Sequence, residues 1–247
     1  MVIYYLFAGF MGVTNMVMWG LYGDLLVEEF RLSKILRSIF LGIFYSLFLF
    51  VVNPNLPLFV VALIVIAFER TTTEIYKASI RHESQDKYDI PSDLNIKAPL
   101  LLKRVIGFGL IIAIILGFAL IDLQVSKIIL LLIMCILPAI GGAAKDAPYE
   151  GFSPIKFLRT PFVSLVIGIL LLAIFPDLGP KYFLLAVPGG ERIISEFYKK
   201  IYRSKIPGKF KQSLTKDTIW LKQRKKLLLA YALNVLILLS LLLYSLP

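Results

Sequence analysis

One segment of this chain occurs twice. Glu69-Arg70-Thr-Thr-Thr-Glu74-Ile-Tyr76-Lys77-Ala-Ser-Ile-Arg81 recurs 122 residues later as Glu191-Arg192-Ile-Ile-Ser-Glu196-Phe-Tyr198-Lys199-Lys-Ile-Tyr-Arg203. On an α-helix, Arg70, Glu74, Lys77 and Arg81 step by four, three and four, so they share one face, and Arg192, Glu196, Lys199 and Arg203 do the same. The offset extends without a gap to Asp24 on Asp146, Glu28 on Glu150, Phe30 on Phe152, Arg37 on Arg159 and Arg104 on Lys226. Independent matches at one offset indicate a tandem duplication, residues 1–122 and 123–247, forming together one membrane domain.

Between the charged segments the chain is apolar. Hydrophobic residues make up 58% of it and its mean hydropathy is +0.81, against about 45–50% apolar in soluble domains. Uncharged runs lie near 1–20, 38–53, 57–68, 105–121, 128–144, 160–176, 182–190 and 227–247. The expected fold is therefore all-α and polytopic, eight helices as two parallel four-helix repeats. The runs at 57–68 and 182–190 are too short to span a bilayer, so each must continue into its charged stripe at membrane depth. The segment Pro188-Gly189-Gly190 is expected to break its helix just before the second stripe and line a cavity, or else to form a kink that only aids packing.

The net charge of +11 has to be read by position. All of the 27 Lys and Arg residues except Lys127 and Lys181 fall in the loops, or at the helix ends, on one side of this topology. The positive-inside rule makes that side cytoplasmic, in a prokaryotic plasma membrane, with both termini outside. The basic segment from Ser204 to Lys226 then lies against anionic headgroups, and no nucleic-acid partner is called for. Cys135 sits in an apolar run and reads as a packed thiol. His82 has no second His or Cys nearby in sequence to suggest zinc. The first residues lack a basic flank and read as a retained membrane helix.

Two constellations could carry chemistry. Asp24 with Glu28, and Asp146 with Glu150, are carboxylate pairs four residues apart after the first helix of each repeat; such pairs with open water positions can hold Mg²⁺, which in turn binds diphosphate oxygens. Pairing with local bases such as Lys156 and Arg159 would account for the same carboxylates. The stripes offer Arg70, Lys77, Arg81, Arg192, Lys199 and Arg203 to phosphate, with Glu74, Glu196, Tyr76 and Tyr198 to orient them. A ladder of ordinary helical ion pairs, or a hub tying the two halves together, would equally explain the stripes.

Lys145-Asp146-Ala-Pro148-Tyr-Glu150-Gly151-Phe, followed by Lys156-Phe-Leu-Arg159-Thr, resembles the second aspartate-rich motif of the UbiA-type intramembrane prenyltransferases. The resemblance implies two four-helix halves, cytoplasmic acidic motifs holding Mg²⁺ and a prenyl diphosphate, and catalytic or metal roles for Asp146 and Glu150, with Asp24 and Glu28 as their counterparts. In the first motif Gly23 stands where that family has Asn, and Leu32 where it has a third carboxylate. The chain also resembles a wider set of bacterial membrane proteins of unassigned activity. The expected function is an intramembrane transferase acting on an isoprenoid or lipid (di)phosphate with Mg²⁺, its lipid tail in an apolar space between the halves. A transporter or flippase for an anionic substrate and a non-catalytic scaffold are the alternatives.

Overall fold

The computed structural model describes residues 1–24, 31–81, 99–199 and 218–246; the side chains of Asp24, 145–150, Lys156 and 218–225 also lie outside the description. Eight α-helices follow in order: α1 (Val2–Asp24), α2 (Leu32–Val52), α3 (Leu58–Ile75), α4 (Leu100–Leu120), α5 (Lys127–Glu150), α6 (Pro154–Ile174), α7 (Pro180–Phe197) and α8 (Thr218–Tyr244). A π turn, Tyr76–Ile80, extends α3. Six of the helices, all but α3 and α7, are long and apolar enough to cross a membrane, and the chain is an integral membrane protein by that criterion. The bounds of α2 and α6 differ by 122 at both ends, and so do those of α3 and α7.

The two helices that fail the membrane criterion form the centre. Every residue from Val60 to Phe68 is buried, and on α7 so are Phe183, Ala186, Val187, Gly189 and Gly190. A helix enclosed by other helices is shielded from lipid, so it need not be apolar along its whole length. α1 and α2 pack on α3, α5 and α6 pack on α7, and α3 packs on α7. Backbone contact sets these distances. A Cβ on Gly189 would stand 2.0 Å from the Leu63 carbonyl oxygen, and one on Gly12 would stand 2.7 Å from that of Ala62. Small residues let membrane helices approach this closely, and van der Waals packing then replaces the missing hydrophobic drive.

The expected break at Pro188-Gly189-Gly190 does not occur, for α7 runs through it. Pro188 loses one helical hydrogen bond. The glycines serve the crossing: Gly189 admits the backbone of α3, and Gly190 lies under Ile167 of α6. The acidic segment 145–150 likewise belongs to the end of α5 and not to a loop; Gly151, at φ 77°, terminates that helix, as glycine in the left-handed region commonly does.

One end of the bundle is closed by polar contacts between connections. The Tyr5 hydroxyl donates to the carbonyl of Asn53 at 2.8 Å and accepts from the Leu56 N–H at 2.7 Å. Lys127 bonds the Pro176 carbonyl, and the Phe59 N–H donates to Ser245 Oγ at 3.3 Å. The charged stripes lie at the other end. α8 closes against α1 through a buried amide pair: Asn15 Nδ2 donates to Asn234 Oδ1 at 2.8 Å, and Asn234 Nδ2 donates to the Met11 carbonyl at 2.9 Å. Beside it the Trp19 and Tyr231 rings meet at 4.0 Å between centroids.

Candidate functional site: the charged junction of the central helices

The stripes begin alongside a candidate spanning helix. Ser38 Oγ on α2 donates to Glu69 Oε1 at 2.7 Å, which sets Glu69 level with the seventh residue of a spanning helix, roughly 9 Å inside its start at 1.5 Å per residue. Thr73 Oγ1 donates to the same Glu69 oxygen at 3.1 Å. In the second half the Ser195 hydroxyl bonds Glu191. These hydroxyls satisfy carboxylates that lipid could not.

One turn further on, each stripe forms the same triad. Arg70 meets Glu74 at 2.5 Å and Lys77 meets it at 3.2 Å. Arg192 meets Glu196 at 2.7 Å and Lys199 meets it at 3.5 Å. The triads differ in depth: the Glu74 side chain is 33% exposed, that of Glu196 only 5%. They also share one electrostatic space. Of the charges acting on Arg70 the largest is that of Arg192 on the facing helix, followed by Glu74, Glu196 and Glu69. Lys199 feels Arg192, Glu196, Arg159 and Glu191. The fold thus brings Arg70, Lys77, Arg192, Lys199, Glu74 and Glu196 to one junction, as the repeated spacing predicts.

Two predicted members behave differently. The helical face runs through Arg70, Glu74 and Lys77 and then stops. The π turn widens the helix, the Arg81 N–H bonds the Tyr76 carbonyl at 2.8 Å, and Arg81 itself is extended. The helix ends there, so regular helical spacing does not carry through to Arg81. Tyr76 and Tyr198 are platforms: the Arg37 guanidinium stands 5.0 Å from the Tyr76 ring centroid and that of Arg159 5.8 Å from Tyr198. Such contacts fix an arginine at about 0.5–1 kcal/mol each.

Arg37 and Arg159, from α2 and α6, are therefore site residues that the stripe alone does not reveal; their signal is recurrence at the same offset. The Nε–H groups of Arg37, Arg159 and Arg192 are shut off from solvent and, among the described residues, meet no acceptor. A buried donor without an acceptor costs about 1–3 kcal/mol. Among the described residues Arg70, Lys77, Arg192 and Lys199 stand with Glu74 and Glu196 here, and the orphan Nε–H donors suit oxyanions.

Beneath it, among the described residues, the α3–α7 seam leaves no space for a lipid tail, since it closes on Leu63, Gly189 and their buried neighbours. Glu28 and Arg203 lie outside the described residues, as do the side chains of Asp24, Asp146 and Glu150. Among the described residues no three His, Cys, Asp or Glu side chains cluster as metal ligands, and the four junction carboxylates are already held by cations or hydroxyls. The described part of the junction thus offers N–H donors of the kind that hold oxyanions. Cys135 is buried in α5, in keeping with a packed thiol. Comparison with family models, with curated proteins and with solved structures finds no match to this chain.

Proposed function

We propose that this protein binds the phosphate head of an isoprenoid or other lipid (di)phosphate at the charged junction of α3 and α7, from one side of the membrane. The carrying observation is the pair of triads, Arg70–Glu74–Lys77 and Arg192–Glu196–Lys199, on the facing helices α3 and α7, above a seam of fully buried apolar residues. Two like charges held together at membrane depth are stabilised by an anion between them. The sealed seam gives that anion access from one end only. Transport would need a polar path to the other end, and the packing of Val60–Phe68 against Phe183–Val187 speaks for a one-sided site instead.

In this reading the halves are tandem repeats related by an axis along the membrane normal, and the charged end faces the cytoplasm. The reaction is group transfer from the bound (di)phosphate. Asp146 and Glu150, with Asp24 and Glu28, are the proposed Mg²⁺ ligands, and the metal would supply charge stabilisation to the leaving diphosphate.

Thermal unfolding of the detergent-purified chain with a prenyl monophosphate or diphosphate, with and without Mg²⁺, tests this. A ligand at about 100 times its dissociation constant should stabilise the fold by about 2.7 kcal/mol. Stabilisation by both phosphates without metal supports the junction, and a further Mg²⁺-dependent gain for the diphosphate supports the transferase. No stabilisation under any condition overturns the headgroup site.

A further inference from the structure

The two ends of the repeat are not packed alike. The seam between α1 and α8 is shut by Asn15, Trp19, Tyr231 and Asn234. Their counterparts 122 residues away are Leu137 and Gly141 on α5 and Gly109 and Ile112 on α4. A two-fold arrangement would bring these into an α4–α5 seam, and there the packing is missing. Asn15 and Asn234 are 0% and 3% exposed, whereas Leu137 and Ile112 are 58% and 55% exposed. A Cβ added at Gly109 or Gly141 would meet no atom within 4 Å. The aromatic pair that fills one seam is thus replaced by two glycines over open space in the other.

The floor of this opening differs in the same sense. On α3, Ala62, Leu63 and Ile66 are fully buried, with α8 among the helices packed on α3. Their counterparts on α7, Leu184, Leu185 and Pro188, are only half-buried. α4 is held at its two ends instead. Near its start Arg104 Nε donates to the Ile80 carbonyl at 3.2 Å, and Gly107 lies against Ser79. Near its end Phe118 packs edge-on to Phe68 and Tyr182. Gly109 is two residues from the contact with Ser79, so the opening lies beside the π turn, at the level of the charged junction.

We infer that the cleft between α4 and α5 is a lateral seat for the apolar tail of a long-chain phosphate whose head lies at Arg192 and Arg70. This deepens the headgroup reading and rests on it. Ile112 and Leu137 are exposed apolar residues and Gly109 and Gly141 add no bulk beside them, so one amphipathic anion with its head at the charged junction would suit both parts. It also explains how a tail is accommodated although the α3–α7 seam is packed.

Dissociation constants of the full-length protein in detergent, for geranylgeranyl monophosphate, geranylgeraniol and inorganic phosphate, test the inference. The filling variant is Gly109→Phe with Gly141→Phe, which enters open space. The zipping variant is Ile112→Asn with Leu137→Asn, which installs the amide pair of the other seam. Both should weaken geranylgeranyl monophosphate at least tenfold and leave inorganic phosphate unchanged, whereas Arg192→Gln should weaken both phosphates. Undiminished binding of the long-chain phosphate by the filled and zipped proteins overturns the cleft while the headgroup site stands. Retention of geranylgeraniol that depends on the cleft, with no binding of inorganic phosphate and no effect of Arg192→Gln, supports the cleft and sinks the headgroup. A dimer of the wild type that becomes a monomer on filling assigns the cleft to a second copy and overturns the tail.

Discussion

Replacing Gly189 with alanine adds one carbon at the most constrained point of the molecule. That carbon would lie 2.0 Å from the Leu63 carbonyl oxygen, against the roughly 3.3 Å at which carbon and a carbonyl oxygen meet. The obstacle is backbone on both sides, so no rotamer change relieves it and α3 and α7 must part by about 1.3 Å. A radial gap of 0.5–1 Å already forfeits about a quarter to a half of each dispersion contact, and here it would act along a seam whose residues are fully buried. Overpacking ordinarily costs about 1–3 kcal/mol; with an immovable partner the upper figure applies, about 3 kcal/mol. The control is Gly141→Ala, where the added carbon meets nothing and the loss of glycine flexibility in a helix should stabilise by about 0.5–1 kcal/mol. Reversible unfolding in mixed micelles of mild detergent and SDS reads both. A Gly189→Ala protein within 0.5 kcal/mol of wild type would refute the direct contact of the central helices, and the sealed seam with it.

Two further substitutions probe the polar contacts. Removing one amide with Asn234→Leu takes the Asn234 acceptor from the buried Asn15 Nδ2, for a loss of about 1–3 kcal/mol, and adding Asn15→Leu should restore part of it; a double-mutant cycle on unfolding free energies shows whether it does. Glu196→Gln strips the carboxylate shared by Arg192 and Lys199 at a site 5% exposed and should cost about 3–5 kcal/mol, whereas Glu74→Gln, at 33% exposure, should cost under about 1 kcal/mol. Equal losses in the same unfolding assay would contradict the difference in depth between the triads.

Much of this arrangement is legible in the chain itself. The 122-residue offset places the paired helices, and the four- and three-residue steps place both Arg–Glu–Lys triads. Burial is where reading stops. The triads have the same spacing, yet only the surrounding helices leave Glu74 half-buried and bury Glu196. Pro188-Gly189-Gly190 carries every local signal of a helix break, but those signals describe an isolated segment, and the crossing with Leu63 turns them into a packing device. Arg81 matches the helical step, yet its backbone is extended beyond a π turn, which changes the period without a mark in composition.

The depth of Glu69 at the level of Ser38 has an electrical consequence. If α2 enters the hydrocarbon layer of about 30 Å at its start, the level of Glu69 is roughly three-tenths of the way across the voltage drop, and the triads one turn on lie nearer the edge. One charge crossing the whole membrane at 100 mV changes energy by about 2.3 kcal/mol, so a monoanion reaching the level of Glu69 gains or loses about 0.7 kcal/mol, roughly threefold in occupancy, and less at the triads. With the charged end cytoplasmic, as proposed, a negative interior drives the anion from the cytoplasm into the membrane. Resting potential would then favour a loaded site, and depolarisation alone would partly empty it.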